Sequence, residues 1–280
     1  MKSDKVGESA GVAASGVSGL PGPWRVRAKR IEGMCEEILF RLMLLRTGGH
    51  AIMHVGGVRA RFRVDCRAEA RRVWYLSGEK ALLAMVLARI NPGEVVYDIG
   101  GNIGTHAMAF AIRVGPTGHV VSFEANPATA DQLRRNAQSN RLSNVTVVDK
   151  ALGERTGSCV LYVEARSGSG RHSLLEAPDR VRTPVEMVQG DQWVAQERLP
   201  VANVVKIDVE GAECGVIAGL GRTLRNPACR LIWCEVHPAL LARREQTPEM
   251  VEQSLAAAGF GSFERFPRGG QYHLLGVKAG

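Results

Sequence analysis

Apolar positions show two different textures on either side of residue 91. Before it, Ile31, Met34, Cys35, Ile38, Leu42 and Leu45 recur at helical spacing, and Gly48-Gly49 closes the run. Residues 58–64 alternate apolar and polar and predict a strand. Residues 77–90 predict a helix with Glu79 near its start and Leu82, Leu83, Val86 and Leu87 on its apolar face. After Asn91-Pro92-Gly93, short apolar runs alternate with helical segments. Strands are predicted at 95–97, 120–123, 145–148, 158–163, 204–209 and 231–236, and helices at 105–113, 128–140, 214–224 and 247–258. Residues 261–266 and 272–277 close the chain as a hairpin. Strands alternating with helices imply an α/β fold with a parallel sheet covered on both faces.

Charge divides the chain in the same way. The sequence has 280 residues and a net charge of +8, of which residues 1–72 carry +7 and residues 73–280 carry +1. The near-neutral body lacks the basic face that a nucleic-acid partner requires. Three regions are expected: a flexible Gly/Ser/Ala-rich tail at 1–23, a basic appendage at 24–76, and the main domain at 77–280. The appendage helix is read as packing on the main domain or on a partner subunit, as in a homo-oligomer, with contact to a membrane surface as the alternative. The tail has no long apolar core and does not read as a secretory signal. The apolar run 38–45 is short and broken by Arg41, so no integral membrane segment is expected there. Six cysteines without a C-x-x-C pair argue against a structural zinc site and for a reducing, cytoplasmic setting.

Two segments carry the chemistry. The first is Asp98-Ile99-Gly100-Gly101-Asn102-Ile103-Gly104, between a predicted strand and its helix. Glycines there permit a tight turn and close approach of a ligand. A dinucleotide site would read G-x-G-x-x-G, whereas here an acid precedes the glycines and would repel a pyrophosphate. Glu124, at the end of the next strand, suits chelation of two ribose hydroxyls. Asp98, Gly100, Asn102, Gly104 and Glu124 together fit S-adenosylmethionine, which is cationic and carries no phosphate, and Asp149 after the third strand is assigned to its adenine. A capped strand–helix turn without a ligand is the structural alternative.

The second segment is 204–213, where alternation places Lys206, Asp208 and Glu210 on one strand face. Trp233, Glu235 and His237 share a face on the next strand. Ligand crevices in such sheets open at the carboxyl ends of the strands. Lys206 is expected to be an ion-pair partner of Glu213 or Glu235, and Asp208 to contact the reacting centre. Asp208, Glu210 and Glu235 are also a possible ligand set for a divalent ion.

These stretches resemble the FkbM family of S-adenosylmethionine-dependent methyltransferases. The resemblance covers roughly 79–237 and is carried by Tyr97-Asp98-Ile99-Gly100-Gly101-Asn102-Ile103-Gly104, Ser122-Phe123-Glu124-Ala125-Asn126-Pro127, Lys206-Ile207-Asp208-Val209-Glu210-Gly211-Ala212-Glu213 and Cys234-Glu235-Val236-His237. Gly101 stands where the family usually has alanine, and Ala125 where it usually has proline. The resemblance implies a Rossmann-like, seven-stranded class I methyltransferase sheet whose last two strands form an antiparallel hairpin. It also implies O-methylation of a sugar or secondary metabolite, so the expected partner is a small-molecule or glycan acceptor. In that reaction His237 is the expected general base, chosen because an unperturbed imidazole titrates near neutrality, and Asp208 accepts the proton or orients the hydroxyl. The acceptor pocket is expected to draw on the N-terminal region and on an irregular polar insert at 157–200. Three other readings are a nicotinamide-dependent oxidoreductase, a methyltransferase of nucleic-acid bases, and a non-catalytic module that kept the fold.

Overall fold

The computed structural model describes residues 34, 37–38, 40–164, 172–175 and 180–278. The expected tail at 1–23, the start of the basic helix and residues 165–171 and 176–179 of the expected insert lie outside the described residues. The chain divides into two compact units, Met1–Gly48 and Gly49–Gly280. In the first, residues 40–47 are helical, and Arg41 pairs with Glu37 one turn earlier at 3.0 Å. Ile38, Leu42 and Leu45 are exposed.

The second unit opens with a hairpin of β1 (His50–Val55) and β2 (Val58–Arg63), followed by α1 (Arg67–Tyr75) and α2 (Lys80–Arg89). Then come β3 (Val95–Ile99), α3 (Thr105–Val114), β4 (His119–Phe123), α4 (Pro127–Ser139) and β5 (Val145–Val148). An insert follows: β6 (Ala151–Gly153), β7 (Gly157–Glu164), β8 (His172–Ser173) and β9 (Arg180–Gln189). The chain continues with α5 (Gly190–Gln196), β10 (Val204–Ile207), α6 (Glu213–Gly219), α7 (Gly221–Arg225) and β11 (Leu231–Val236). It ends with α8 (Pro238–Ala242), α9 (Pro248–Ala257), β12 (Phe260–Arg268) and β13 (Gln271–Lys278).

The main sheet has seven strands in the order β12-β13-β11-β10-β3-β4-β5. Pairs within β11-β10-β3-β4-β5 are parallel, while β13 lies antiparallel between β11 and β12. This is the class I methyltransferase topology, with the expected C-terminal hairpin. All residues of β10 and β11 are buried, as strands covered on both faces require. Strand order reverses between β3 and β10, so the loops leaving these strands diverge and open a crevice.

The expected appendage at 24–76 does not behave as one piece, because its hairpin and α1 belong to the same compact unit as the sheet. Side-chain amides of α4 bind the backbone of β2 in place of a neighbouring strand. Asn140 Oδ1 accepts from the Arg61 N–H (2.8 Å), and Asn136 Oδ1 accepts from the Arg63 N–H (2.8 Å). Asn140 Nδ2 donates to the Arg61 carbonyl at 2.6 Å. Gln132 Nε2 donates to Glu69 Oε2 at 2.9 Å, which ties α1 to the same helix face. The insert is likewise ordered where it is described. β7 and β9 pair antiparallel from Gly157 opposite Met187 to Glu164 opposite Arg180, and with β6 and β8 they make a four-stranded sheet.

Asn136 is fully buried and also donates to the Ile103 carbonyl at 2.8 Å, so it joins the hairpin to the loop after β3. We expect Asn136→Ala to leave both backbone groups unsatisfied and cost about 2–4 kcal/mol in urea unfolding. A change below about 0.5 kcal/mol would show that this lacing contributes nothing.

Candidate active site

The crevice begins at Gly100, which has φ +81°. A Cβ there would lie 1.8 Å from the Asp208 carbonyl oxygen, so only glycine lets the loop after β3 pass against the loop after β10. The Gly100 and Gly101 N–H groups both donate to the Phe123 carbonyl at 2.9 Å. Asn102, also left-handed at φ +51°, then turns its backbone N–H toward Glu124 Oε2 at 2.8 Å. Glu124 Oε1 accepts from the Asn126 N–H at 2.8 Å. Two loops thus fix one carboxylate. Burial pushes the Glu124 carboxyl up to about 7, against the pull of these two N–H bonds and of Lys206.

A first cleft of about 720 Å³ lies over these groups. Gly100, Asn102 and Glu124 line it on the polar side, and Leu152 and Leu161 on the apolar side. A second cleft of about 1190 Å³ is bordered by Glu79, Glu235, His237 and Arg268. Arg72, Asp208 and Glu210 line both clefts.

Beneath them lies Lys206, buried in the middle of the sheet. The parallel register sets it opposite Asp98 on β3. Its Nζ donates to the Gly100 carbonyl at 2.9 Å and pairs with Asp98 Oδ1 at 3.1 Å and Asp208 Oδ2 at 3.6 Å. The ion pair expected for Lys206 therefore exists, but with Asp98 and Asp208 in place of Glu213 or Glu235. Ser122 Oγ donates to the other Asp98 oxygen at 3.2 Å.

In the second cleft, His237 Nδ1 donates to Glu213 Oε1 at 2.6 Å. Its Nε2 lies 3.7 Å from Glu210 and 3.9 Å from Glu235. Burial opposes protonation of His237, yet the Glu213 hydrogen bond and the charges of Asp208 and Glu210 raise its pKa to about 9. Burial, with Asp208 and Glu79 nearby, pushes Glu235 up to about 8. Burial also works against the Asp208 carboxylate, but Lys206 and His237 hold it below the usual carboxylate range. Arg268 donates to Glu235 Oε1 at 2.7 Å and pairs with Glu79 at 2.5 Å.

Not every residue singled out from sequence reaches a cleft. Gly100, Asn102 and Glu124 line the first, His237 the second, and Asp208 both. Asp98 lies below the floor with its carboxylate turned to Lys206 and Ser122. Gly104, at φ +94°, is the N-cap of α3, where a Cβ would press on Leu133. Asp149 is exposed and pairs with Arg134 at 3.3 Å, and the chain reaches the first cleft only at Lys150 and Ala151. The strand face expected to hold Lys206, Asp208 and Glu210 ends early, because β10 stops at Ile207 and Glu210 is left-handed at φ +48°. The base role given to His237 rested on an unshifted imidazole. Set among carboxylates, His237 instead holds its proton at neutral pH.

Sequence reasoning missed Arg72, Arg268 and the positioning role of Glu213. Arg72 sits on the charged helix α1, and Arg268 is the last residue of β12, beside the turn of the closing hairpin. Glu213 carried one signal, the short spacing from Gly211, whose N–H its Oε1 accepts at 3.0 Å.

The methyltransferase FkbM domain matches residues 98–261, more than half of the chain. The chain belongs to the FkbM methyltransferase family. It is therefore an S-adenosylmethionine-dependent methyltransferase. The FkbM-family chain is 30% identical over 188 residues to the hexuronic acid methyltransferase AglP of Haloferax volcanii, a match covering 66% of this chain and 74% of the relative. It is 26% identical over 201 residues to the 2-O-methyltransferase NoeI of Sinorhizobium fredii, covering 66% and 79%. Among solved structures it is similar to Aeropyrum pernix fibrillarin with natively bound S-adenosyl-L-methionine, at 13% identity and TM-score 0.48 over 82% of this chain and 83% of that one.

The first cleft fits this cofactor. Its wall carries three carboxylates, Glu124, Asp208 and Glu210, against the cations Arg72 and Lys150. Lys150 is already paired with Glu186 and lies over the Trp193 ring. That donor set favours an ammonium and a sulfonium over a diphosphate.

The His237 pKa sets a stability profile. A folded-state value near 9 against 6.5 unfolded gives a contribution fully present below pH 6.5 and lost as pH rises through 9. Between pH 7 and pH 10 the melting temperature is expected to fall by roughly 5–10 °C, and less in His237→Gln. Equal slopes for the two proteins in scanning calorimetry would show that His237 is not protonated in the fold.

Proposed function

We propose that the enzyme methylates a hydroxyl oxygen of a sugar or a hydroxylated secondary metabolite. The observation that carries this reading is that Asp208 lines both clefts, so one carboxylate borders the cofactor and the acceptor together. The names of AglP and NoeI, a hexuronic acid methyltransferase and a 2-O-methyltransferase, support the acceptor class. Carboxylates accept hydrogen bonds and never donate them when ionised, and a polyhydroxylated acceptor supplies the donors.

When bound, the cofactor would supply a methyl carbon activated by cationic sulfur, with a neutral thioether as the leaving group once the acceptor oxygen bonds that carbon. Glu124 would hold the ribose, with Asn102 and Gly100 forming the floor beneath. Asp208, ionised and fixed by Lys206, orients the acceptor hydroxyl and takes its proton as the C–O bond forms. His237, as an imidazolium, cannot act as the base; it stays tied to Glu213 and adds positive charge beside Asp208. Holding the hydroxyl in line with the methyl group accounts for most of the acceleration that such a site provides.

Transfer of labelled methyl from S-adenosylmethionine to a panel of hexoses, hexuronic acids and glycosides tests the reading. Asp208→Asn should lower kcat about 10²-fold while cofactor Kd changes less than about threefold. Glu124→Ala should weaken cofactor binding about tenfold in calorimetry. Label recovered only on nitrogen, or full turnover in Asp208→Asn, would refute the assignment.

A further inference from the structure

We propose that Asp208, Glu235 and His237 form a binding site for one divalent cation of the Mg²⁺/Mn²⁺ class in the second cleft. One carboxylate oxygen from each acid and one imidazole nitrogen lie within 4.8 Å of one another. That spacing lets a single ion reach all three with a small contraction, given bond lengths of roughly 2.0–2.3 Å. The three residues come from the carboxyl ends of two neighbouring parallel strands, β10 and β11, so the sheet itself fixes their separation. Glu235 and His237 are almost wholly buried, whereas Asp208 is half-buried at the junction of the clefts. The set therefore has a closed side in the protein and an open side toward acceptor and solvent.

The tautomer of His237 decides in favour of this triad. Glu213 can only accept, so Nδ1 of His237 carries the hydrogen between them at 2.6 Å. Ion binding displaces the proton at Nε2, and the ring then presents its lone pair there, toward Glu210 and Glu235. A carboxylate behind a histidine in this way orients the ring and raises its basicity as a ligand. A second, independent feature points the same way. Glu213 is fully buried, and its Oε2 has no hydrogen-bond partner among the described residues. Once the Nε2 proton is released on binding, a cation on the far side of the His237 ring takes over the compensation of the Glu213 charge.

A neighbouring triad, Glu79, Glu235 and His273, has similar spacing but the wrong chemistry. Trp233 Nε1 can only donate, and it does so to His273 Nδ1 at 3.2 Å. A neutral His273 therefore carries its own hydrogen at Nε2 and has no lone pair to offer there. Arg268 and Gln271 both donate to Glu235 Oε1, and an ionised carboxylate keeps further lone pairs with which to bind an ion. Two carboxylates and one imidazole are a mixed oxygen–nitrogen set, which suits Mn²⁺ and Mg²⁺ better than the thiolate-seeking metals.

The site itself stands on geometry alone; its role in activating an acceptor hydroxyl rests on the function proposed above. The experiment titrates MnCl₂ into the full chain without cofactor or acceptor, reading free Mn²⁺ by electron paramagnetic resonance. Wild type should take up one Mn²⁺ per chain, displaced by excess Mg²⁺. His237→Gln and Asp208→Asn should each weaken uptake at least tenfold. Circular dichroism and a cooperative thermal melt report that each variant is folded. No uptake by wild type at up to about 1 mM Mn²⁺ would overturn the site. So would wild-type uptake in both folded variants. A chain that binds Mn²⁺ yet methylates no hydroxyl upholds the ion site and refutes the acceptor assignment instead.

Discussion

The two clefts depend on one buried ammonium. Lys206 contacts the carbonyl of Gly100, the carboxylate of Asp98 and the carboxylate of Asp208. Taking a charge of this kind out of water costs several kcal/mol, and only well-placed partners offset it. Here two acids and a carbonyl do so. Burial disfavours the charged amine, yet Asp98 and Asp208 together raise its pKa above that of an ordinary lysine. The arrangement has a geometric consequence. Gly100 begins the loop under the first cleft, and Asp208 begins the loop that borders the second. One cation between them fixes their separation.

This coupling is possible because of where the sheet reverses. β3 and β10 are adjacent and parallel but belong to the two halves of the strand order, so their following loops turn apart. At the point of divergence the backbones touch so closely that position 100 admits no side chain beyond hydrogen. The insert reinforces the second cleft, where Ser173 Oγ donates to the Glu210 carbonyl at 2.9 Å. The first cleft is held by Glu124, which receives N–H groups from loops on two different strands.

Much of this was legible before the structure. The alternation of apolar runs and helical segments after residue 91 predicts the parallel strands, because a strand covered on both faces must be apolar throughout. The glycine turn and Glu124 were legible because close approach and a strand-end acid leave sharp local signatures. What escaped depends on tertiary context. Asp98 looked like a cofactor contact, but register with Lys206 turns it inward. Asp149 looked like an adenine contact, but Arg134 holds it outside. α1 is a charged helix, and β9 carries Pro184 and alternating charges that hide its pairing with β7. The protonation of His237 could not be read from its own chain position, since it follows from Asp208, Glu210 and Glu213, acids after β10 that the fold brings against the ring.

The distribution of charge also constrains how the proposed transfer gains its rate. Carboxylates near a sulfonium stabilise the bound cofactor, and that cation disperses as the methyl group leaves. Such contacts favour the ground state and by themselves raise affinity more than turnover. The acceptor oxygen behaves oppositely, gaining positive charge as its lone pair forms the new bond and until its proton departs. An ionised group beside that oxygen is worth more in the transition state than before it. Of the two acids that line both clefts, Asp208 and Glu210, Asp208 is the one held ionised by Lys206 below and His237 beside it. Its value lies in staying fixed while the positive charge moves from one cleft to the other, which is why its anchoring in the sheet bears on the chemistry as directly as its proximity to the substrates.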